Sequence, residues 1–190
     1  MCNSYRQTRP LDEIAALFAQ GGLPLVFPEG APNVEAREMV RITDAAPVVR
    51  RGAGGAYELV QRRWSWPGPG GKPVYNFRAE GRRFLGGRCL APVEGFYEYT
   101  GPEPGMKRKT RWLFTRPGEP VFALAALLRA TPDGEAFALL TVEPGPDVAP
   151  YHARSVIPLD AAAAKAWLDG APEREILRPP PSGTLQVARG

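Results

Sequence analysis

The residue with the most distinctive chemical opportunity in this chain is Cys2. An initiator methionine followed by a small side chain is usually trimmed, so a mature terminus at Cys2 is expected. One residue would then carry both an α-amine and a thiol. Their ordinary pKa values, roughly 7.7–8.0 and about 8.5, leave both partly nucleophilic near neutral pH. An amine and a neighbouring thiol trap an aldehyde as a Schiff base that closes to a five-membered thiazolidine. The same pair can instead attack an acyl carbon, thiolate first, with the amine as base. A cysteine at this position is equally what a ragged terminus carries by accident, and the dipeptide alone does not separate these readings.

Three further residues have the chemistry to assist. His152 is the sole histidine, which concentrates any imidazole role on one Pro-bounded loop beside Arg154. A surface or packed histidine is the plainer alternative. Glu98 lies in Gly95-Phe96-Tyr97-Glu98-Tyr99, where strand alternation puts it on the face of Phe96, either at a solvated strand end or in a dry pocket. In the dry case desolvation raises its pKa and suits it to proton transfer. Glu94 reads as a surface glutamate. Asn76, flanked by Tyr75 and Phe77, is either a turn residue or an orienting amide, with Arg78 two positions on as a phosphate contact. Trp64, Trp66, Tyr75 and Tyr99 are core residues or stacking platforms for bases. Arg62, Arg63, Arg82, Arg83 and the Lys107–Arg111 cluster are solvated faces or a path for a nucleic-acid backbone.

The elements that must position these residues are short. Among 190 residues, 21 Gly and 22 Pro favour turns and strands over long helices, and 44% apolar with 23% charged residues is the balance of a globular domain that buries a core. A net charge of +4 is compatible with a polyanion but does not require one. Two cysteines make no disulfide framework, and no metal-ligand spacing is present, so no cofactor is expected. The first apolar patch is too short for a signal peptide and no run reaches membrane-spanning length; a reduced, cytoplasmic protein is expected.

Apolar spacing predicts helices over 11–20, 79–85 and 161–168, the last capped by Asp160. Strands are predicted over 2–5, 39–42, 47–50, 57–62, 88–93, 95–99, 112–115 and 184–188. Residues 121–128 and 136–142 should form a hairpin about Thr131-Pro132-Asp133-Gly134, although the alanines of the first segment keep a helix open. Residues 22–37, 67–71 and 100–111 read as loops. The sum is a single α+β domain over 1–190 with a mostly antiparallel, barrel-like β core and a few short flanking helices.

In order, Met1-Cys2-Asn3, Arg63-Trp64-Ser65-Trp66-Pro67, Asn76-Phe77-Arg78-Ala79-Glu80, Arg88-Cys89-Leu90-Ala91-Pro92, Gly95-Phe96-Tyr97-Glu98-Tyr99, Leu139-Leu140-Thr141 and His152-Ala153-Arg154-Ser155-Val156-Ile157-Pro158-Leu159 resemble the motifs of the SOS-response-associated peptidase (SRAP) family. The resemblance implies a monomer that removes its own Met1 and cross-links covalently to abasic sites in single-stranded DNA. Carried over by position, Cys2 is the nucleophile, Asn76 orients the reacting amine or sugar, and Glu98 moves protons during Schiff-base formation. His152 assists ring opening and reversal. Arg78, Thr141 and Arg154 match phosphate-holding positions, and Trp64 and Tyr99 match aromatic positions near bent DNA. The resemblance also implies nucleoid association when bound to DNA. Asn3 and Ser4 replace the family's commoner Gly-Arg, Tyr99 stands where a tryptophan often follows the glutamate, and Asp44-Ala45-Ala46-Pro47 lies where a Tyr-Asn-x-Ala-Pro loop is usual. The alternative function is a thiol peptidase acting on other proteins through Cys2.

Overall fold

A computed structural model describes residues 2–190. In chain order the strands are β1 (Ser4–Gln7), β2 (Leu25–Val26), β3 (Arg37–Arg41), β4 (Ala45–Arg51), β5 (Tyr57–Trp64), β6 (Trp66–Pro67), β7 (Pro73–Val74), β8 (Asn76–Arg78), β9 (Arg88–Val93), β10 (Gly95–Thr100), β11 (Thr110–Thr115), β12 (Phe122–Thr131), β13 (Gly134–Val142), β14 (Ser155–Val156), β15 (Pro158–Leu159) and β16 (Gln186–Arg189). The helices are α1 (Leu11–Gln20), α2 (Ala161–Leu168) and the single turn α3 (Glu173–Ile176). Among the described residues no helix is long and apolar enough to cross a membrane.

Five strands close on themselves. β13 pairs with β12, β12 with β9, β9 with β4, β4 with β5, and β5 returns to β13 in parallel through Ala136↔Arg63 and Phe137↔Trp64. All other pairings in the ring are antiparallel, so the fold is the expected α+β class with a barrel core. Because successive side chains point to opposite faces, each barrel strand feeds two cores. Val48, Cys89, Ala91, Leu124, Ala126, Phe137 and Leu139 enter one cluster, whereas Val49, Leu90, Ala123, Ala125 and Leu140 enter another. The first cluster is completed by Tyr5, Phe96 and Phe114 from a second sheet in the order β16-β11-β10-β1-β3. The second is covered by Ile14 and Phe18 of α1 and by Trp167 and Leu168 of α2.

The helices have local causes. Ile14 and Phe18, four apart, bury one face of α1, and Asp12 and Glu13 sit in its first turn where the helix dipole favours acids. Its end approaches α2 so closely that a Cβ on Gly21 would lie 2.8 Å from that of Ala161. Asp160 caps α2 by accepting from the Ala163 N–H at 2.8 Å. Asp160→Ala should cost about 1 kcal/mol, read as a lower urea midpoint at unchanged slope.

Expectations change at four places. The predicted 22–37 loop holds β2, paired in parallel with β5 through Leu25↔Tyr57 and Val26↔Glu58. Residues 79–85 are not helical. Phe84 is held between Phe77 and Trp167, its N–H donates to Glu173 at 2.7 Å, and Gly81 takes φ +69°. Gly87 (φ +74°) then passes so near β12 that a Cβ would meet the Leu128 carbonyl oxygen at 2.3 Å. Residues 121–128 lose their helical option, because β12 lies between β9 and β13 and both ladders need its backbone. Glu94 is no surface glutamate. It accepts from Thr8 N–H at 2.5 Å, Thr8 Oγ1 at 2.7 Å and Arg9 N–H at 2.7 Å, pinning the link between β1 and α1.

Candidate active site

β1 runs antiparallel to β10 with Tyr5 opposite Phe96 and Arg6 opposite Gly95, which carries the start of the chain along the Glu98 end of β10. Cys2 is 1% exposed, and its Sγ donates to the Ser4 carbonyl at 3.3 Å. Burial pushes its thiol pKa up, and the nearby Glu98 charge pushes it further. The Cys2 carbonyl accepts from Asn76 Nδ2 at 2.7 Å, and its backbone N–H donates to the Glu98 carboxylate. Asn76 Oδ1 is buried and accepts no hydrogen bond among the described residues. Asn76 reaches this position because β8 adds in parallel to β13, with Asn76 opposite Leu139 and Arg78 opposite Thr141.

Glu98 is also 1% exposed, the dry-pocket option, and desolvation raises its pKa to about 7. Its cross-strand neighbour is Trp112, on which Tyr151 packs with ring centres 5.0 Å apart. The loop carrying His152 is thereby laid over the same end of β10. The His152 Nδ1 is engaged by the Arg154 backbone, with N at 3.0 Å and O at 3.1 Å, so proton exchange with a ligand would pass through Nε2. Burial lowers the His152 pKa, favouring the neutral imidazole at neutral pH. Cys2 touches both Asn76 and Glu98, and the packing of Tyr151 on Trp112 sets the His152 loop beside the ladder position of Glu98. Tyr151 and Trp112 were missed in the sequence. Adjacency to His152 was the available signal for the first, and β10–β11 pairing, which no local pattern specifies, for the second.

The expected DNA-contacting residues divide. Arg78 is exposed and makes no ion pair among the described residues. Arg154 is held by Glu80 (Nη2 to Oε2, 2.8 Å, with a second bond from Nη1), by the Thr141 carbonyl at 2.9 Å and by Thr141 Oγ1 at 3.2 Å. That guanidinium lowers the Glu80 pKa to about 2. Thr141 itself is buried. Tyr99 is half-buried, its hydroxyl 3.4 Å from Ser4 Oγ. Trp64 corrects the expectation. It is 0% exposed, packed against Tyr5 and stacked with Phe137, with Nε1 donating to the Tyr75 carbonyl at 2.9 Å. No ring face is left for a base. Trp66 is buried as well, turned to a different cluster by Ser65 at φ +104°. Arg62 is committed to Glu29 and Glu135 rather than to a backbone path. Cys89 is a buried core thiol, and among the described residues no cluster of His, Cys, Asp and Glu could hold a metal ion.

The same fold is what comparison with other proteins returns. The sequence matches the profile described as SOS response associated peptidase (SRAP) over residues 1–189. The chain belongs to that family. Among solved structures, a protein from Bordetella bronchiseptica superposes with a TM-score of 0.75 at 20% identity, covering 100% of this chain and 99% of the other. One from Bacteroides thetaiotaomicron gives 0.75 at 15% identity over 99% and 91%. A phage-related protein of B. bronchiseptica gives 0.71 at 19% identity over 100% and 94%. These likenesses establish the fold. No curated protein sequence matches significantly.

Proposed function

We propose that this protein removes its own Met1 and then uses Cys2 to capture the aldehyde of abasic sites in single-stranded DNA, shielding the lesion during the response to DNA damage. Met1 lies outside the described residues, so its removal rests on chemistry alone. The observation that carries the reading is the setting of the Cys2 nitrogen: its N–H meets a carboxyl group whose pKa is about 7, while Asn76 grips the carbonyl of the same residue. Once Met1 is lost, that nitrogen is the nucleophilic amine.

The steps balance without an external reagent. The closed deoxyribose opens as neutral His152 takes the hydroxyl proton and protonated Glu98 gives one to the ring oxygen. When the amine adds, its surplus proton returns to Glu98 and the one on His152 goes to the new alkoxide. The Cys2 amine adds to the aldehyde carbon, and Glu98 protonates the carbinolamine hydroxyl, which leaves as water. The thiol then adds to the imine carbon and passes its proton to Glu98, closing the thiazolidine. Asn76 Oδ1, which lacks a donor among the described residues, is suited to hold the amine protons. Arg78 would hold a flanking phosphate, Arg154 would do so on exchanging Glu80 for it with Thr141 steadying the guanidinium, and Tyr99 would lie along the strand. A peptidase acting on other proteins needs a thiolate, yet burial pushes the Cys2 thiol up, which disfavours thiolate attack near neutral pH. An amine-first order has no such requirement.

The test is a single-stranded oligonucleotide carrying one abasic site, incubated with mature protein and run on a denaturing gel. A stable band of protein plus DNA is expected for wild type. Cys2→Ala and Cys2→Ser should lose it, since neither can close a thiazolidine. Turnover of peptide substrates with no such band would overturn the proposal in favour of the peptidase.

A further inference from the structure

A groove of about 880 Å³ lies between the non-helical segment 79–88 and the region joining α2 to α3. Its walls present Arg51, Arg82, Arg83, Arg88 and Arg174, and Leu85, which is 95% exposed, stands at the groove. Three acids also line it, and each already has a cation. Asp169 answers Arg51 and Lys165, Glu173 answers Arg88, and Glu80 answers Arg154. That leaves Arg82, Arg83 and Arg174, all exposed and without an ion pair among the described residues. Arg82 is propped over the Phe77 ring, its guanidinium carbon 4.5 Å from the centroid.

A short strand links the groove to the site at Cys2. β8 begins at Asn76, which holds the Cys2 carbonyl, and its ladder extends to Ala79, whose N–H donates to the Thr141 carbonyl at 2.9 Å and which lines the groove. At roughly 3.3 Å per residue this is a path of about 10 Å. Arg78 lies along it, and Glu80 with its partner Arg154 stands at the far end.

We infer that the groove binds the phosphodiester backbone of the same single strand beyond the captured residue, with Arg82, Arg83 and Arg174 as its phosphate contacts. This rests on the function proposed above for the choice of single-stranded DNA as the polyanion. Arginine suits the task because its planar fork matches phosphate oxygens and it is never neutral. Contacts of this kind strengthen binding to any sequence and make it steeply salt-dependent.

The test compares wild type with an Arg82→Gln/Arg83→Gln/Arg174→Gln variant by fluorescence anisotropy across a salt series. The probes are intact single strands of about five and about twenty nucleotides, bracketing a single-domain footprint. The variant should bind the longer strand at least about tenfold more weakly, with a salt slope shallower by about 2 for three lost phosphate contacts. The short strand should be unaffected, and the triple lysine variant should recover most of the loss. Unchanged affinity and slope on the long strand overturn the inference. So does an equal loss on both strands, which would put the arginines at the site itself. The covalent assay separates this from the function proposed above. A variant that cross-links normally and binds the long strand normally removes the groove and spares the capture chemistry. Wild type that shows the length-dependent, arginine-dependent binding yet forms no covalent product removes the capture chemistry and spares the groove.

Discussion

Glu98→Gln is expected to slow cross-link formation by about a hundred- to ten-thousandfold, the usual contribution of a positioned proton-transfer group. It should at the same time make the protein more stable at alkaline pH. Both effects have one cause. The carboxyl group is 1% exposed, and desolvation raises its pKa from 4.5 to about 7. Between those values the folded protein holds a proton that the unfolded chain has released. Stability from this group is therefore complete below pH 4.5 and is lost as pH rises toward 7. At 1.36 kcal/mol per pKa unit the penalty at pH 8 is about 3 kcal/mol. Glutamine has a similar shape and never ionises, so the variant should gain stability of that order over wild type at pH 8 and little at pH 4.5. Urea melts at the two pH values measure this, and single-turnover cross-linking should lose its inflection near pH 7. A variant that cross-links at the wild-type rate would remove Glu98 from the chemistry. One less stable than wild type at pH 8 would mean that the carboxylate's hydrogen bonds outweigh its desolvation.

Trp64→Ala should cost about 3–5 kcal/mol, the range for emptying a large aromatic site in a packed core. Trp64 has no exposed surface, and its loss would strip packing from Tyr5 and Phe137 and leave the Tyr75 carbonyl without its donor. For a chain of this length the midpoint of thermal unfolding should fall by about 10 °C. The same variant tests the base-stacking role suggested by the sequence. Below its melting range, its affinity for intact single-stranded DNA should match wild type, whereas a lost stacking platform would cost about 1–3 kcal/mol per base. Unaltered stability with weakened DNA binding would restore the stacking role.

The difference between Trp64 and Glu98 indicates what a linear pattern can carry. Both sit in aromatic-rich strands with similar local alternation. Alternation correctly paired Glu98 with Phe96, because the period of two is a property of the strand itself. Whether that face was wet or dry depended on Cys2 at the start of the chain and on Trp112 with Tyr151 packed against it, and no residue near Glu98 records that. For Trp64, exposure was decided by closure of the barrel through the β5–β13 pairing. Segment 79–85 failed similarly, since its packing on Trp167 and its bond to Glu173, both far along the chain, overrode a weak helical pattern.

By itself, then, the amino-acid order determined the strand-rich class, α1 with its Ile14–Phe18 face, the Asp160 cap, the turn at Thr131-Pro132-Asp133-Gly134, and the residue types able to perform aldehyde chemistry. Each of these follows from forces acting within a few residues. Only the tertiary structure brought Cys2 against Asn76 and Glu98, tied Arg154 to Glu80, buried Trp64 and opened the arginine groove. Those outcomes depend on which strands pair and which side chains lose water, and both are settled by contacts between segments that the chain keeps far apart until it folds.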